Sequence, residues 1–220
     1  MRIFAALVLS LCFAGAVRAA ESPVATSARA FASVQSLDTT VLRLALNAVT
    51  CAKQTGAVVN DRLLTVIDYS KASTEPRLWV LDLASERLLF EELVAHGRGS
   101  GDNYATQFSN IEGSHQTSLG LFRTADTYVG SNGYSLRLDG LEPGVNDRAR
   151  DRAIVMHGAP YVSEANLRAA GRLGRSWGCP ALRPAVARTL IDTIKEGSLV
   201  FAYYPDKEWL DGSRFLNGCS

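Results

Sequence analysis

A cysteine in a glycine-containing turn is the residue of this sequence best suited to covalent catalysis. Cys179 follows Gly178, which permits close backbone approach or unusual dihedral angles, and it precedes Pro180, which has no N–H group. Arg175 lies four residues upstream and could lower the pKa of the thiol or bind a substrate carboxylate. A thiolate is a good nucleophile for acyl transfer. The candidate segment is therefore Gly174-Arg175-Ser176-Trp177-Gly178-Cys179-Pro180-Ala181.

The backbone of the same turn limits where an oxyanion hole can form. Since the residue after the cysteine is a proline, the donors have to come from the N–H groups of Trp177, Gly178 or Cys179. Ser176 and Trp177 are also candidate substrate contacts, although the indole could equally well only pack against its neighbours.

His157 is the candidate general base. It follows the apolar run 153–156, which is typical of a short buried strand, and it precedes Gly158, whose backbone could support the site. A histidine at the end of such a strand lies at the rim of a sheet, where a backbone carbonyl can orient one ring nitrogen. Sequence separation alone does not show that His157 and Cys179 meet. A satisfied core histidine and a buried structural cysteine are the alternative interpretation.

Two other histidines and one tyrosine are weaker candidates. His96 ends an apolar run before the glycine-rich segment 97–101, and His115 lies in a polar loop. Both positions are typical of surface residues, although His96 and Tyr134 could contact a substrate. Together with His157 the two histidines could form a zinc site, but no pair has a metal-type spacing. We therefore expect no metal site, and the family resemblance described below implies that no cofactor is needed.

Apolar periodicity predicts a mainly β body with flanking helices. One helix is predicted over Leu37–Thr55, packed on the body, and a second from Pro184 to Gly197. Residues 97–116 form a long polar loop, and such loops are usually functional or mobile. The β-type runs are mostly adjacent in sequence, which favours a β sandwich-like domain over a doubly wound sheet. These runs cover 63–67, 78–83, 87–96, 119–124, 134–138, 153–156 and 199–203.

Composition and the N-terminal segment indicate an exported globular protein. Residues 1–19 have a basic start, an apolar centre and small residues at a plausible cleavage site, which is the pattern of a secretory signal peptide. We interpret 20–36 as a loose leader and 37–220 as a single domain. The formal net charge is +1 without a basic run, so nothing supports nucleic-acid binding. No later segment predicts a transmembrane anchor after signal cleavage.

The two candidate catalytic residues resemble a known signature. In the YkuD-type L,D-transpeptidases a histidine is followed, after a spacer, by Ser-His-Gly-Cys, and here His157-Gly158 is followed by Ser176-Trp177-Gly178-Cys179. The segment 117–122 is similar to the family's Thr-Pro-x-Gly-x-Phe strand. The resemblance extends from Leu63 to Tyr204 and is strongest to a divergent branch, the murein L,D-transpeptidase catalytic domain family proteins. This sequence departs from the main family in having Trp177 where the second histidine is usual and Ala181 where a polar residue is common.

The resemblance implies a YkuD-like β-sandwich and an enzyme of the periplasm or cell envelope that acts on peptidoglycan stem peptides. Cys179 would form a thioester with the third residue of a tetrapeptide stem, with His157 as base, and an amine of a neighbouring stem would resolve it. Carbapenem-type inhibitors would acylate the same thiol. Water as acceptor would instead give an L,D-carboxypeptidase or endopeptidase, and a non-enzymatic wall-binding protein with Cys179 in a disulfide is a further alternative. We expect a monomer.

Cysteine number gives one more expectation. Three of the four cysteines lie beyond the predicted signal peptide, and an odd number leaves one thiol unpaired in an oxidising compartment. A nucleophilic Cys179 has to stay reduced, so Cys51 and Cys219 are predicted to form a disulfide that ties down the C-terminal tail. The alternative is that both are free thiols.

Overall fold

The chain folds around a mixed β-sheet with helices at its faces and edges. The computed structural model describes residues 23–57 and 60–219. The helices are α1 (Pro23–Ala30), α2 (Thr39–Gln54), α3 (Glu164–Ala170), α4 (Pro184–Ile194) and α5 (Lys207–Gly212). The strands are β1 (Leu63–Asp68), β2 (Leu78–Asp82), β3 (Arg87–Glu92), β4 (Val94–Ala95), β5 (Gly120–Gly130), β6 (Gly133–Gly140), β7 (Val155–Gly158), β8 (Ala181–Leu182) and β9 (Leu199–Tyr203).

The nine strands form a sheet in the order β3-β2-β1-β9-β5-β6-β7-β8-β4. Neighbouring strands are antiparallel except for β1 with β9 and β7 with β8, which are parallel. Strands β3 and β4 stand at opposite ends of this order although only Leu93 separates them in sequence. The two edges of the sheet must therefore lie close together, which rolls the sheet into a nearly closed sandwich.

Helix α2 buries one face against β1 and β9 and begins at a side-chain cap. The Oδ1 atom of Asp38 accepts hydrogen bonds from the backbone N–H groups of Thr40 (2.7 Å) and Val41 (3.1 Å), which satisfies donors that the first helical turn leaves free. The buried residues recur at helical spacing and belong to the main core: Val41, Leu42, Ala45, Leu46, Ala48, Val49, Cys51 and Ala52.

Helix α4 supports the strand that carries His157. Pro184 stands at its first turn, where the missing N–H costs nothing, and its buried side chains face β7 and β6. A Cβ atom at Gly158 would lie 2.9 Å from the Cβ of Ala187, so a glycine is needed for the helix to approach β7 this closely.

The sequence predicted the mainly β fold with its packed N-terminal helix, and the structure confirms it. The predicted helix 37–55 is α2, the predicted hairpin is β2–β3, and the long loop 97–116 contains no strand among its residues. Helices α3 and α5, which are short, and strand β8, which has two residues and is defined only by its partners, were not predicted from the sequence. Short elements bury too few side chains to give a periodic pattern.

The N-terminal predictions have different outcomes. The predicted signal peptide 1–19 lies outside the described residues. Part of the segment expected to be a loose leader is helix α1, which packs against α2, and Phe31 after it is buried. The division into leader and domain stays a prediction. None of the helices in the described ranges has the length and apolarity needed to cross a membrane.

Candidate active site

Cys179 lies in the turn that leads into β8, beside the strand that carries His157. Strands β7 and β8 are parallel with His157 opposite Ala181, so the same register sets Cys179 beside Val155. The backbone N–H of Val155 donates to the Sγ of Cys179 over 3.4 Å, and the thiol donates to the carbonyl of Ala153 over 3.7 Å. The thiol is free and buried. The sheet thus holds Cys179 level with Val155, which precedes His157 by two residues in β7.

The serine of the turn fixes its shape from within. The Ser176 hydroxyl donates to the carbonyl of Cys179 (2.6 Å) and accepts from the N–H of Gly178 (3.1 Å), whose φ of +120° favours glycine. Gly178 was one of three expected oxyanion donors, but its N–H is already engaged. The N–H groups of Trp177 and Cys179 have no acceptor among the described residues. Ser176 is therefore a structural residue of the turn.

The segment after β4 packs edge to edge against this turn. The N–H of Ser176 donates to the carbonyl of His96 (3.0 Å), and the N–H of Arg98 donates back to the carbonyl of Ser176 (2.8 Å). Between them, a Cβ atom on Gly97 would lie 2.8 Å from the Cα of Gly178 and would also meet the carbonyl oxygen of His115. Only glycine permits this approach at position 97. Residues 96–98 therefore form a wall that packs directly on the turn of Cys179.

His157 is buried and oriented by its own neighbour. Its Nδ1–H donates to the carbonyl of Gly158 over 3.1 Å, which leaves Nε2 as the nitrogen that can accept a proton. Burial lowers the pKa of His157, and the hydrogen bond to Gly158 opposes this shift. Within the described residues no hydrogen bond joins His157 to Cys179. The resting site therefore combines a neutral imidazole with a thiol that is hydrogen-bonded to Val155 and Ala153 and not to the imidazole.

Arg152 is a further candidate site residue, which no sequence pattern predicted. Its guanidinium donates to the carbonyls of Ser109 (2.6 Å) and Gln116 (2.7 Å) and to the hydroxyl of Ser118 (2.5 Å). The Gln116 carbonyl in turn lies against Gly178, because a Cβ atom there would come within 2.8 Å of it. The only signal in the sequence was the position of an arginine five residues before the histidine.

The pKa of the Cys179 thiol is set by three opposing influences. Burial raises it above the ordinary value, while the hydrogen bond from Val155 and the positive charge of Arg152 lower it. Burial also raises the pKa of two phenols that interact electrostatically with Cys179, those of Tyr69 and Tyr161, the latter to about 12. Both phenols are thus neutral near neutral pH, and the Val155 N–H and the charge of Arg152 together favour the thiolate.

A comparison with known protein families assigns the chain to one of them. The family model described as the L,D-transpeptidase catalytic domain (YkuD_2) matches residues 33–203, which include every residue of the turn and His157. The chain belongs to this family. The search of curated proteins found no match to it.

Solved structures similar to this L,D-transpeptidase domain share little sequence with it. An L,D-transpeptidase from Mycobacterium smegmatis is 15% identical with a TM-score of 0.40, and the match covers 65% of this chain and 59% of that one. The helical cell shape determining protein Pgp2 from Campylobacter jejuni is 17% identical (TM-score 0.43; 66% and 48% covered). An L,D-transpeptidase (Yku) from Stackebrandtia nassauensis is 13% identical (TM-score 0.41; 76% and 68%). The chain thus spans less than two thirds of the first two chains.

Two residues predicted to contact a substrate, Arg175 and Tyr134, form hydrogen bonds to other parts of the protein. Arg175 donates to the carbonyl of Gly101 (2.8 Å) and to Asp102 (2.9 Å), so it ties down the loop after β4. The Tyr134 hydroxyl donates to Asp192 of α4 over 2.6 Å, on the sheet face opposite His157, because Tyr134 adjoins Ser135, the cross-strand partner of that histidine. The expectation that either residue faces a substrate is not supported by these contacts.

His96 is a core residue, contrary to the surface position predicted for it. Its Nδ1 accepts from Arg77 over 2.8 Å, both side chains are buried, and burial lowers the pKa of His96 to about 4. His115 instead bonds Arg98 at the surface. The three histidines thus have separate partners, and the described residues contain no group of three or more His, Cys, Asp or Glu placed to hold a metal ion.

Trp177 stands where the main family has its second histidine, and it is exposed. Its side chain is 69% accessible, the His115 ring stacks on it with centroids 5.1 Å apart, and the Cζ of Arg98 lies 5.4 Å from its ring centroid. The indole therefore faces solvent two residues before Cys179 and is not a core residue.

The structure also pairs the two remaining cysteines of the domain. Cys51 in α2 and Cys219 in the C-terminal tail form a disulfide, with their Cα atoms 5.2 Å apart, a normal separation for this bond. Cys179 is the free cysteine of the described residues.

Proposed function

We propose that this chain is an exported cysteine-dependent L,D-transpeptidase that cross-links peptidoglycan stem peptides. The observation that carries it is the free, buried thiol of Cys179 beside the strand of His157, in a chain whose family is that of L,D-transpeptidase catalytic domains. No other described cysteine is free, and His157 lies on the strand that pairs with the Cys179 segment, with its Nε2 not engaged by the Gly158 carbonyl.

Acylation begins with transfer of the thiol proton. Cys179 releases its hydrogen bond to the Ala153 carbonyl, the proton passes to Nε2 of His157, and Sγ attacks the carbonyl carbon of the third stem residue. The resulting oxyanion accepts hydrogen bonds from the free N–H groups of Cys179 and Trp177, each worth about 3 kcal/mol in the transition state. The carbon–nitrogen bond to the terminal D-alanine then breaks, and His157 gives its proton to the departing amine.

Deacylation repeats the sequence with a second stem. An amine of the acceptor attacks the thioester carbonyl and loses its proton to His157. Collapse of the tetrahedral intermediate breaks the carbon–sulfur bond, and the thiolate recovers its proton from the imidazolium. The product is a peptide bond between two stems, and no metal or redox group takes part. With water in place of the amine, the same steps give hydrolysis.

Export is the second part of the proposal. The N-terminal pattern predicts a signal peptide, the family's substrate lies in the cell envelope, and the Cys51–Cys219 disulfide suits an oxidising compartment. A protein in the periplasm keeps Cys179 reduced more easily when its other two cysteines are already paired and Cys179 itself is buried.

Mass spectrometry of tetrapeptide muropeptides incubated with the mature protein tests the activity. Cross-linked dimers with release of D-alanine support transpeptidation. Tripeptide stems without dimers assign hydrolysis instead. Unchanged muropeptides together with an unreactive thiol would contradict both and favour a wall-binding role. Intact-mass spectra after incubation with a carbapenem provide a second assay, since an acyl adduct on Cys179 is expected and should be absent in Cys179→Ala.

A further inference from the structure

The backbone of Arg98 is held beside the turn that carries Cys179. Its backbone N–H donates to the Ser176 carbonyl, and the preceding Gly97 packs directly on Gly178, the neighbour of the nucleophile. The side chain is exposed to solvent. Arg98 follows the residue that packs on Gly178, and Gly178 directly precedes Cys179. The backbone of Arg98 therefore lies close to that of the nucleophile.

The guanidinium is held by aromatic groups and not by a carboxylate. Its Nε and Nη2 atoms share the Nδ1 of His115 (3.2 and 3.0 Å), and its Cζ lies over the Trp177 ring. No Asp or Glu of the described residues forms a salt bridge with Arg98. In contrast, Arg172 and Arg175 nearby both contact Asp102. Arg98 therefore presents Nη1 and the outer N–H of Nη2 without an acidic partner.

We propose that Arg98, supported by Trp177 and His115, binds the terminal carboxylate of the acyl-donor stem. A guanidinium presents paired N–H groups in the geometry of a carboxylate, and stacking on an aromatic ring leaves that edge free. The assignment rests on the proposed acyl transfer, which identifies the bound peptide as a donor stem. The substrate carboxylate would then bind Arg98 and not Arg175, for which this contact was predicted.

The position of the carboxylate in the donor makes it the appropriate ligand. In a tetrapeptide stem the residue after the attacked carbonyl is the last one, so its carboxylate lies within about one Cα–Cα spacing of roughly 3.8 Å from the leaving nitrogen. A stem longer by one residue, or one ending in a carboxamide, carries a neutral amide at that place. Arg98 would therefore select donors that end directly after the leaving residue.

Equilibrium binding to the full mature chain carrying Cys179→Ala tests this selection without requiring turnover. The probes are a synthetic tetrapeptide stem ending in D-alanine, the same peptide as its C-terminal carboxamide, and the pentapeptide. We expect the acid to bind about tenfold more tightly than the carboxamide, the size of a charge-assisted hydrogen bond. Arg98→Met in the same background should bind acid and carboxamide equally, and Arg98→Lys should retain only part of the preference.

Arg87→Met is the matched control, because Arg87 is an exposed arginine of β3 that forms no salt bridge in the described residues. It should keep the full preference for the acid. An unchanged preference in Arg98→Met, or no preference or no binding in the Cys179→Ala parent, would overturn the inference. Preferential binding of the acid without thioester formation by the wild-type chain would support the Arg98 site and contradict the proposed acyl transfer.

Discussion

Two regions of the molecule are held in place by different forces. The nucleophile region comprises the turn 174–182 and the segments 96–99 and 114–117 packed on it. It is held by hydrogen bonds to backbone atoms and by glycines whose backbone lies too close to its neighbours to leave room for a side chain. The tail region comprises α2 and the C-terminal residues 207–219, and it is held by apolar packing and the Cys51–Cys219 bond.

The difference matters because hydrogen bonds are directional and apolar burial is not. Directional contacts fix the sulfur atom relative to β7, the strand of His157, whereas the apolar face and the covalent bond add stability without positioning a particular atom. We therefore expect changes in the nucleophile region to reduce activity more than stability, and changes in the tail region to do the reverse. The following predictions are ordered from the largest expected effect to the smallest.

Cys179→Ala should abolish thioester formation and cross-linking while the protein stays folded. The change removes the nucleophile but only one atom of a small buried side chain. Muropeptide mass spectrometry measures the loss, and circular dichroism during heating checks the fold. Turnover in the folded variant would show that another residue is the nucleophile.

His157→Gln should lower kcat/KM for the muropeptide substrate by a factor of about 10² to 10⁴, the contribution of a positioned general base. Glutamine can still donate to the Gly158 carbonyl but cannot accept and return a proton as imidazole does. Tyr134→Phe is the control, because its hydroxyl bonds Asp192 on the other sheet face, and its kcat/KM should stay near the parent value. Activity of His157→Gln within a few-fold of the parent would assign the base elsewhere.

Cys51→Ser should lower the free energy of unfolding by about 2–5 kcal/mol and leave kcat/KM of the folded protein unchanged. Cys219→Ser and the double variant should lose the same amount, since all three remove one bond. Urea titration measures the stability, and non-reducing peptide mapping checks the pairing. A main species with Cys179 in a disulfide would contradict both the pairing and the role of the nucleophile.

Gly97→Ala should lower kcat/KM at least about tenfold, because misplacement of catalytic groups by even an ångström is costly. The added Cβ would meet the Cα of Gly178 at 2.8 Å, so the wall or the turn has to shift. Gly212→Ala is the matched control, since a Cβ there meets no atom within 4 Å. Equal kcat/KM for the two variants would show that the wall does not position the nucleophile.

Arg152→Met should slow alkylation of Cys179 by iodoacetamide at neutral pH by about threefold to tenfold. The cation lowers the pKa of the thiol, so its removal raises that pKa and moves the rate profile to higher pH. Arg152→Lys keeps the charge but not the set of hydrogen bonds, and it should restore part of the profile. A pH profile identical to the parent's in Arg152→Met would limit Arg152 to supporting the 109–118 loop.

Local sequence determined most of the fold, because the apolar face of α2 and the alternating runs of the sheet are properties of neighbouring residues. The pairing of Cys179 with His157 as candidate catalytic residues was predicted instead from the resemblance to a known family. Arg152 could not be identified in this way, because its partners lie in a loop more than thirty residues upstream. The two-residue β8 was missed for the same reason, since it is a strand only by virtue of β7 and β4.

What tertiary structure alone decided is which polar groups remain free. The sequence offered Arg175, His96 and the N–H of Gly178 as functional groups, and folding engages each of them with Asp102, Arg77 and Ser176 respectively. The same folding leaves Arg98 without an acidic partner and exposes Trp177. The type of a residue determines which hydrogen bonds its side chain can form. Whether those bonds are already formed depends on distant segments, which only folding brings within hydrogen-bonding distance.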